Sequence, residues 1–204
     1  EAQPELMQQT LHWTSADHLS YMPVTEKHPQ GMTVSELCAA AIQYSDNLAA
    51  NVLLKLIGGP SAVTALARSV GDRVTQLDRT EPTLNTAIPG DNRDTTTPLN
   101  MAHSVGQLVL KQGLAPSQQQ QLIRWLKGNT TGKKAIAAAL PAGWEIGDKT
   151  GSGAYGTTND VAVIWPTGKP PLVMAVYFTQ FAPDAQSQQA VLAQAAAIAL
   201  QRLG

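Results

Sequence analysis

The chain has 204 residues, 43% of them hydrophobic, and a formal net charge of -1 at neutral pH. That length suffices for one sizeable core or two small lobes sharing an interface, and that composition excludes a disordered chain. The near balance of charge gives no reason to expect nucleic acid or an anionic membrane as partner, and no apolar run approaches the roughly 20 residues of a membrane span. Cys38 is the only cysteine, so cysteine usage does not identify the redox compartment. Within Leu37-Cys38-Ala39-Ala40-Ala41-Ile42 it reads as a buried packing residue.

Taken in chain order, Thr33-Val34-Ser35-Glu36 has the hydroxyl-to-carboxylate spacing of a capping box and predicts a helix ending near Tyr44. Ser45-Asp46-Asn47 interrupts it with three residues that favour caps and turns. Asp46 is placed to cap a second helix through Leu53, Leu54 and Ile57, stopped by Gly58-Gly59. Pro60 suits the first turn of a third helix, to about Val70. From Gly71 to Thr97 periodicity disappears into Asp, Arg, Thr, Pro and Asn. So long a loop in a compact domain is usually functional, and an Ω-type loop is expected over 72–97. Thr97-Pro98 restarts helical pattern to about Lys111, and Ser117 begins another helix that Gly128 ends.

After Pro141 the pattern changes. Trp144 to Lys149, Asp160 to Trp165 and Leu172 to Phe178 are short, β-branched and aromatic, with Pro166-Thr167-Gly168-Lys169-Pro170 as a hairpin connection. An Ala/Gln/Leu-rich helix is expected from Asp184 to Leu203. The order predicts an α+β protein: a helical lobe over 1–140, then three antiparallel strands and a final helix over 141–204 as part of an α/β lobe. Only one face of that sheet is covered by the elements visible in the sequence.

Three short motifs stand in an informative order. Ser45-Asp46-Asn47 lies at a helix junction, where an exposed serine is able to pass protons and an asparagine amide to hold a carbonyl. Glu81-Pro82-Thr83-Leu84-Asn85 lies inside the long loop, with a carboxylate and an amide spaced to share one water. Arg79 and Asp94 bracket it and are expected to pair, closing the loop and fixing Glu81. Lys149-Thr150-Gly151-Ser152-Gly153 ends a strand with a lysine, two hydroxyls and a glycine, a plausible cradle for a carboxylate. Alone, each admits a bland reading as cap, polar surface loop or turn; their order and spacing carry the weight.

That order, S-D-N, then E-P-x-L-N between an arginine and an aspartate, then K-T-G, resembles the class A β-lactamases. The strings from Leu77 to Asp91, from Trp125 to Gly132 and from Gly147 to Gly153 are similar to those of the CTX-M and related extended-spectrum group. The resemblance runs from about Tyr21 to the last helix. It implies the β-lactamase/transpeptidase-like fold, with amide hydrolysis of penicillins and cephalosporins through a serine acyl-enzyme. It also implies no metal or other cofactor, a periplasmic location and a monomeric complete enzyme. Residue by residue, it implies that Glu81 activates the deacylating water, which Asn85 holds, across a cis bond before Pro82. Ser45 would relay a proton to the leaving nitrogen, assisted by Lys149. Asn47 would bind the substrate's side-chain amide, Thr150 and Ser152 its carboxylate beside Gly151. The backbone amide of Ser152 would form half of an oxyanion hole, and Tyr21 the aromatic wall of the entrance.

The family's nucleophile stands in a Ser-x-x-Lys turn, and no serine of this chain has lysine three positions later. Among the threonines, Thr131 has that spacing to Lys134, as its neighbour Thr130 has to Lys133, in an Asn-Thr-Thr-Gly turn that reads as surface. The expectation is therefore that the acylated serine lies upstream of Glu1, on a longer chain or on a separate one, and that the chain alone does not hydrolyse. Ala154, Gln188 and Gln189 replace charges that relatives carry near the cleft rim, and Gly153 stands where related carbapenemases carry a cysteine. Two other classes compete. A metal-dependent hydrolase needs clustered ligands, but His12, His18, His28 and His103 are dispersed. A non-catalytic fragment or β-lactam-binding module predicts binding without turnover, and would have no use for Glu81 with Asn85.

Overall fold

The computed structural model describes residues 3–202. Helix α1 (Val34–Tyr44) starts at the expected capping box: the Thr33 hydroxyl accepts from the Glu36 amide, and the Glu36 carboxylate accepts from the Thr33 amide. Helix α2 (Asn47–Leu56) is capped by Asp46, whose Oδ1 accepts from the Ala49 amide at 2.9 Å. Pro60 opens α3 (Pro60–Ser69), and Thr97 caps α4 (Pro98–Leu110). Helix α5 runs Pro116–Lys127, with proline rather than Ser117 at its first position. Between α3 and α4 the 72–97 segment holds a single 3-10 turn, Thr83–Asn85.

Near the start, β1 (Thr10–Leu11) pairs antiparallel with β2 (Met32–Thr33), a two-residue ladder inside the lobe read as helical. It anchors the 12–31 stretch over α1, where Met32, Leu37, Ala40 and Ala49 form a buried core joined by Trp13 and Val24. Cys38 is half-buried rather than fully enclosed; even so, desolvation pushes its thiol up to about 11.

The main sheet is β3 (Glu145–Ser152), β4 (Thr158–Trp165) and β5 (Leu172–Phe178), antiparallel in that order. Register pairs Lys149 with Val161 and Thr150 with Asp160. Among the described residues β5 pairs only with β4, so its outer edge has no strand partner. The first and second strands extend two or three residues beyond the sequence expectation, because Thr150 to Ser152 continue the ladder against Thr158 to Asp160. Helix α6 spans Gln189–Arg202, not Asp184 onward. Residues 184–188 instead cross β4, where the Gln188 amide donates to Thr158 Oγ1 at 3.0 Å. Leu203, assigned to the last helix from sequence, lies outside the described residues.

The sheet is buried on both faces, which corrects the expectation of one. Ala162 and Ile164 pack with Ile136 and Ala196, under α6 and the short turn Ile136–Ala139. Val163, one step on and therefore on the other face, packs with Val109 of α4 and Leu126 of α5. The second part of β4, Val161-Ala162-Val163-Ile164-Trp165, is continuously apolar, as a strand covered on both sides should be.

Candidate active site

A cleft of about 480 Å³ opens where the α1–α2 junction, the long loop and the end of β3 meet. The junction supplies three of its residues. Ser45 ends α1 in the left-handed region, φ 54°, which turns its hydroxyl out of the helix line. Asp46 is fully buried and faces away: its carboxylate accepts from the Val24 and Thr25 amides, the Thr25 hydroxyl and the Ala49 amide. It thus clamps the 22–25 segment to α2, and the Asn47 amide donates to the Tyr21 carbonyl at 3.2 Å. Tyr21 is 48% exposed at the mouth.

The long loop supplies Glu81 and Asn85. Arg79 Nε donates to Asp94 Oδ2 at 2.6 Å, with the two side chains only 17% and 2% exposed. Asp94 Oδ1 also accepts from the Asp78 and Arg79 amides, so one carboxylate closes the base of the loop. Within it the Glu81–Pro82 bond is cis, as the resemblance implied. Asn85 Nδ2 donates to Glu81 Oε2 at 2.5 Å. Asn51 of α2 holds the Glu81 backbone from both sides, its Oδ1 accepting from the Glu81 amide and its Nδ2 donating to the Glu81 carbonyl, each at 2.9 Å. Sequence reasoning missed Asn51. The available signal was a lone polar side chain in the otherwise apolar run Leu48 to Leu54, four residues after Asn47.

Strand β3 supplies Lys149, Thr150, Gly151 and Ser152. Lys149 Nζ donates to Ser45 Oγ at 2.5 Å and to the Thr150 carbonyl at 2.6 Å. Desolvation lowers the Lys149 pKa against the attraction of Glu81, Asp148 and Asp160. Desolvation likewise raises Glu81, opposed by the Asn85 hydrogen bond and by Lys149. Gly153 matters for approach: a Cβ there would stand 2.6 Å from the Asn85 carbonyl, against which the end of β3 is laid. The cleft therefore unites Tyr21, Ser45, Asn47, Glu81, Asn85 and Lys149 through Ser152, while Arg79 and Asp94 line a second cavity behind the loop, also about 480 Å³.

Thr131 is not a surface residue. It lines the same cleft, with its Oγ1 2.5 Å from Thr150 Oγ1, whereas Lys134 is exposed. Thr131 O accepts from Gln189 Nε2 at 3.0 Å, the first residue of α6. Behind the turn, Asn129 Nδ2 donates to Asp148 Oδ2 at 2.7 Å. Asp148 and Asp160 form a buried acid pair; burial first, then the Asp148 carboxylate, push Asp160 up to about 8. Gly132 is required by this contact, since a Cβ there would fall 1.8 Å from Asp148 Oδ2. Among the described residues no three His, Cys, Asp or Glu side chains gather to hold a metal ion.

A sequence model of the Beta-lactamase enzyme family matches residues 5–203. The chain belongs to that family. It is 57% identical over 199 residues to β-lactamase CTX-M-8 of Citrobacter amalonaticus, covering 97% of this chain and 68% of that protein. It is 55% identical over 204 residues to β-lactamase OXY-1 of Klebsiella oxytoca, of which it covers 70%. A crystal structure of a β-lactamase from Desulfarculus baarsii DSM 2075 superposes with a TM-score of 0.97 at 47% identity, over all of this chain and 76% of that one. Its α+β fold is thus that of the β-lactamases, with CTX-M and OXY class A enzymes among its relatives.

Proposed function

We propose that residues 1–204 carry the water-activating and substrate-holding part of a class A serine β-lactamase acting on penicillins and cephalosporins, with the acylated serine outside these residues. The observation that carries the proposal is the single cleft joining Glu81–Asn85, Lys149–Ser45 and the Thr150–Ser152 strand end. Glu81, in its ionised form, takes a proton from water as the water oxygen attacks the ester carbonyl of the acyl-enzyme. The serine oxygen then leaves with a proton, and the opened antibiotic departs as a carboxylate. Asn85 turns the Glu81 carboxylate and holds the water. Lys149, half-buried with its Nζ donating to Ser45 Oγ, assists Ser45 in passing a proton to the lactam nitrogen. The Ser152 amide is half of the oxyanion hole, and the hydroxyls of Thr150 and Ser152 meet the substrate carboxylate. Periplasmic placement and a monomeric complete enzyme belong to the same proposal, checked by cell fractionation and light scattering.

Denaturing intact-mass spectrometry of the purified protein, before and after incubation with a penicillin, is the test. A second polypeptide or a heavier chain that gains one acyl mass, and loses it with time, supports the assignment. The Glu81→Ala variant should then retain the acyl mass; rapid loss from that variant sinks the role of Glu81. The absence of a Ser-x-x-Lys turn within the chain favours one second reading, a β-lactam-binding module without turnover. It is the better reading if a β-lactam binds in calorimetry and no mass ever shifts.

A further inference from the structure

The hydroxyl wall of the cleft has a direction, and the direction follows from counting protons. Asn129 is held from two sides by groups that leave its amide one orientation: the Asp148 carboxylate must receive from Nδ2 (2.7 Å), and the Thr131 backbone N–H must give to Oδ1 (3.2 Å). The Thr131 hydroxyl lies 2.9 Å from that same Oδ1, which only accepts, so its one proton is committed there. Thr131 Oγ1 also stands 2.5 Å from Thr150 Oγ1. With the Thr131 proton committed, the proton between the two hydroxyls belongs to Thr150. We propose that Asn129 and Thr131 are positioning residues that hold the Thr150 hydroxyl with its proton turned away from the cleft, so that its lone pairs face an incoming anion. The buried pair of Asp148 and Asp160 anchors the chain of bonds, because Asp148 has to remain an acceptor for Asn129 Nδ2.

The consequence concerns ligands bearing a carboxylate at this end of the cleft, and for the choice of ligand it rests on the proposed β-lactamase reading. Such a ligand meets an acceptor where it needs a donor. To be held by Thr150 it has to turn two hydroxyls, Thr150 into the cleft and Thr131 toward Thr150, giving up the bond to Asn129 Oδ1. Otherwise Lys149 and Ser152 hold it alone. Thr131 thereby sets how strongly the strand end discriminates an anion from a neutral ligand of the same shape.

Neutron diffraction from deuterium-exchanged crystals of the ligand-free protein decides the direction without reference to any substrate. A deuteron bonded to Thr150 Oγ1 and aimed at Thr131 is expected; one bonded to Thr131 Oγ1 and aimed at Thr150, or lying midway, overturns the proposal. The energetic half uses a cephalosporin with its free carboxylate and the same molecule as its methyl ester, measured by calorimetry. Thr131→Val removes the acceptor and frees the Thr150 proton for the cleft, so it should bind the carboxylate about threefold to tenfold tighter, a gain of roughly 1 kcal/mol, with the ester unchanged. Thr131→Ser should match the native protein. Equal weakening of both ligands by Thr131→Val would mark the residue as merely structural and reject the discriminating role. If the native protein binds neither form, the β-lactam reading fails while the neutron result on hydroxyl direction still stands.

Discussion

Asn51 commits its whole carboxamide to one peptide unit, the amide and carbonyl of Glu81, and so fixes where the carboxylate starts from. Asn51→Leu keeps the bulk and removes both bonds, leaving two half-buried backbone groups unsatisfied at about 1–3 kcal/mol. A lower unfolding temperature is expected, together with slower loss of the acyl mass; native melting and native turnover would show that the bonds are incidental. Asp160 offers a test in pH. Its folded pKa of about 8 lies above the ordinary 3.8, so the stability it confers is fully present below about pH 4 and is lost as pH rises through about 8. Asp160→Asn retains an acceptor for the Ile136 amide, bonded now at 3.1 Å to Oδ2, and removes the titrating group. The variant should melt at nearly the same temperature from pH 5 to 9, while the native protein loses stability across that range. Parallel pH curves would dismiss the raised pKa of Asp160. Glu81 is also raised, so the acid limb of deacylation should fall above the ordinary carboxylate range and vanish with Glu81→Gln. Ser45, Glu81, Asn85, Lys149, Thr150 and Ser152 stood in motifs; Asn51, Asn129, Thr131 and the acid pair did not. Those five act through contacts 12 to 30 positions away in sequence, which local spacing does not report.

At the level of elements, short-range physics was the better guide. The Thr33–Glu36 box, the Asp46 cap and the prolines at the first turns of α3 and α4 fix helix starts by bonds within four residues, and these starts were readable. The start of α6 was not, because the Ala/Gln pattern of 184–188 suits a helix while Thr158 on β4 draws the Gln188 amide out of one. The second covered face of the sheet was missed for a related reason: it is made by α4 and α5, which precede the strands and show no sign in their own sequence of what they pack against. The long loop is held at its base chiefly by Asp94, which accepts from the Asp78 and Arg79 amides and from Arg79 Nε. Asp94→Ala should open 76–95 locally, raising the rate of proteolytic cleavage there by roughly tenfold for each 1.4 kcal/mol lost, while β3–β5 stay protected. Unchanged cleavage would mean that the bonds from Gln76 to the Thr95 and Asn92 carbonyls hold the base without Asp94.

Across the whole molecule, the helical segments and the sheet share buried cores, so damage at one site travels: the cleft is bounded by α1–α2, the loop and β3 at once. The same sharing leaves β5 in an unusual position. Its residues, Leu172-Val-Met-Ala-Val-Tyr-Phe178, carry no charge and no proline, and Val173 serves one core while Leu172, Met174 and Val176 serve the other. A strand with both faces committed has no position at which a charged gatekeeper sits without breaking a core. Its outer rim of backbone N–H and C=O groups therefore has to be guarded by something laid alongside, or it is an open template for cross-β stacking, copy upon copy at the 4.7–4.8 Å repeat of amyloid.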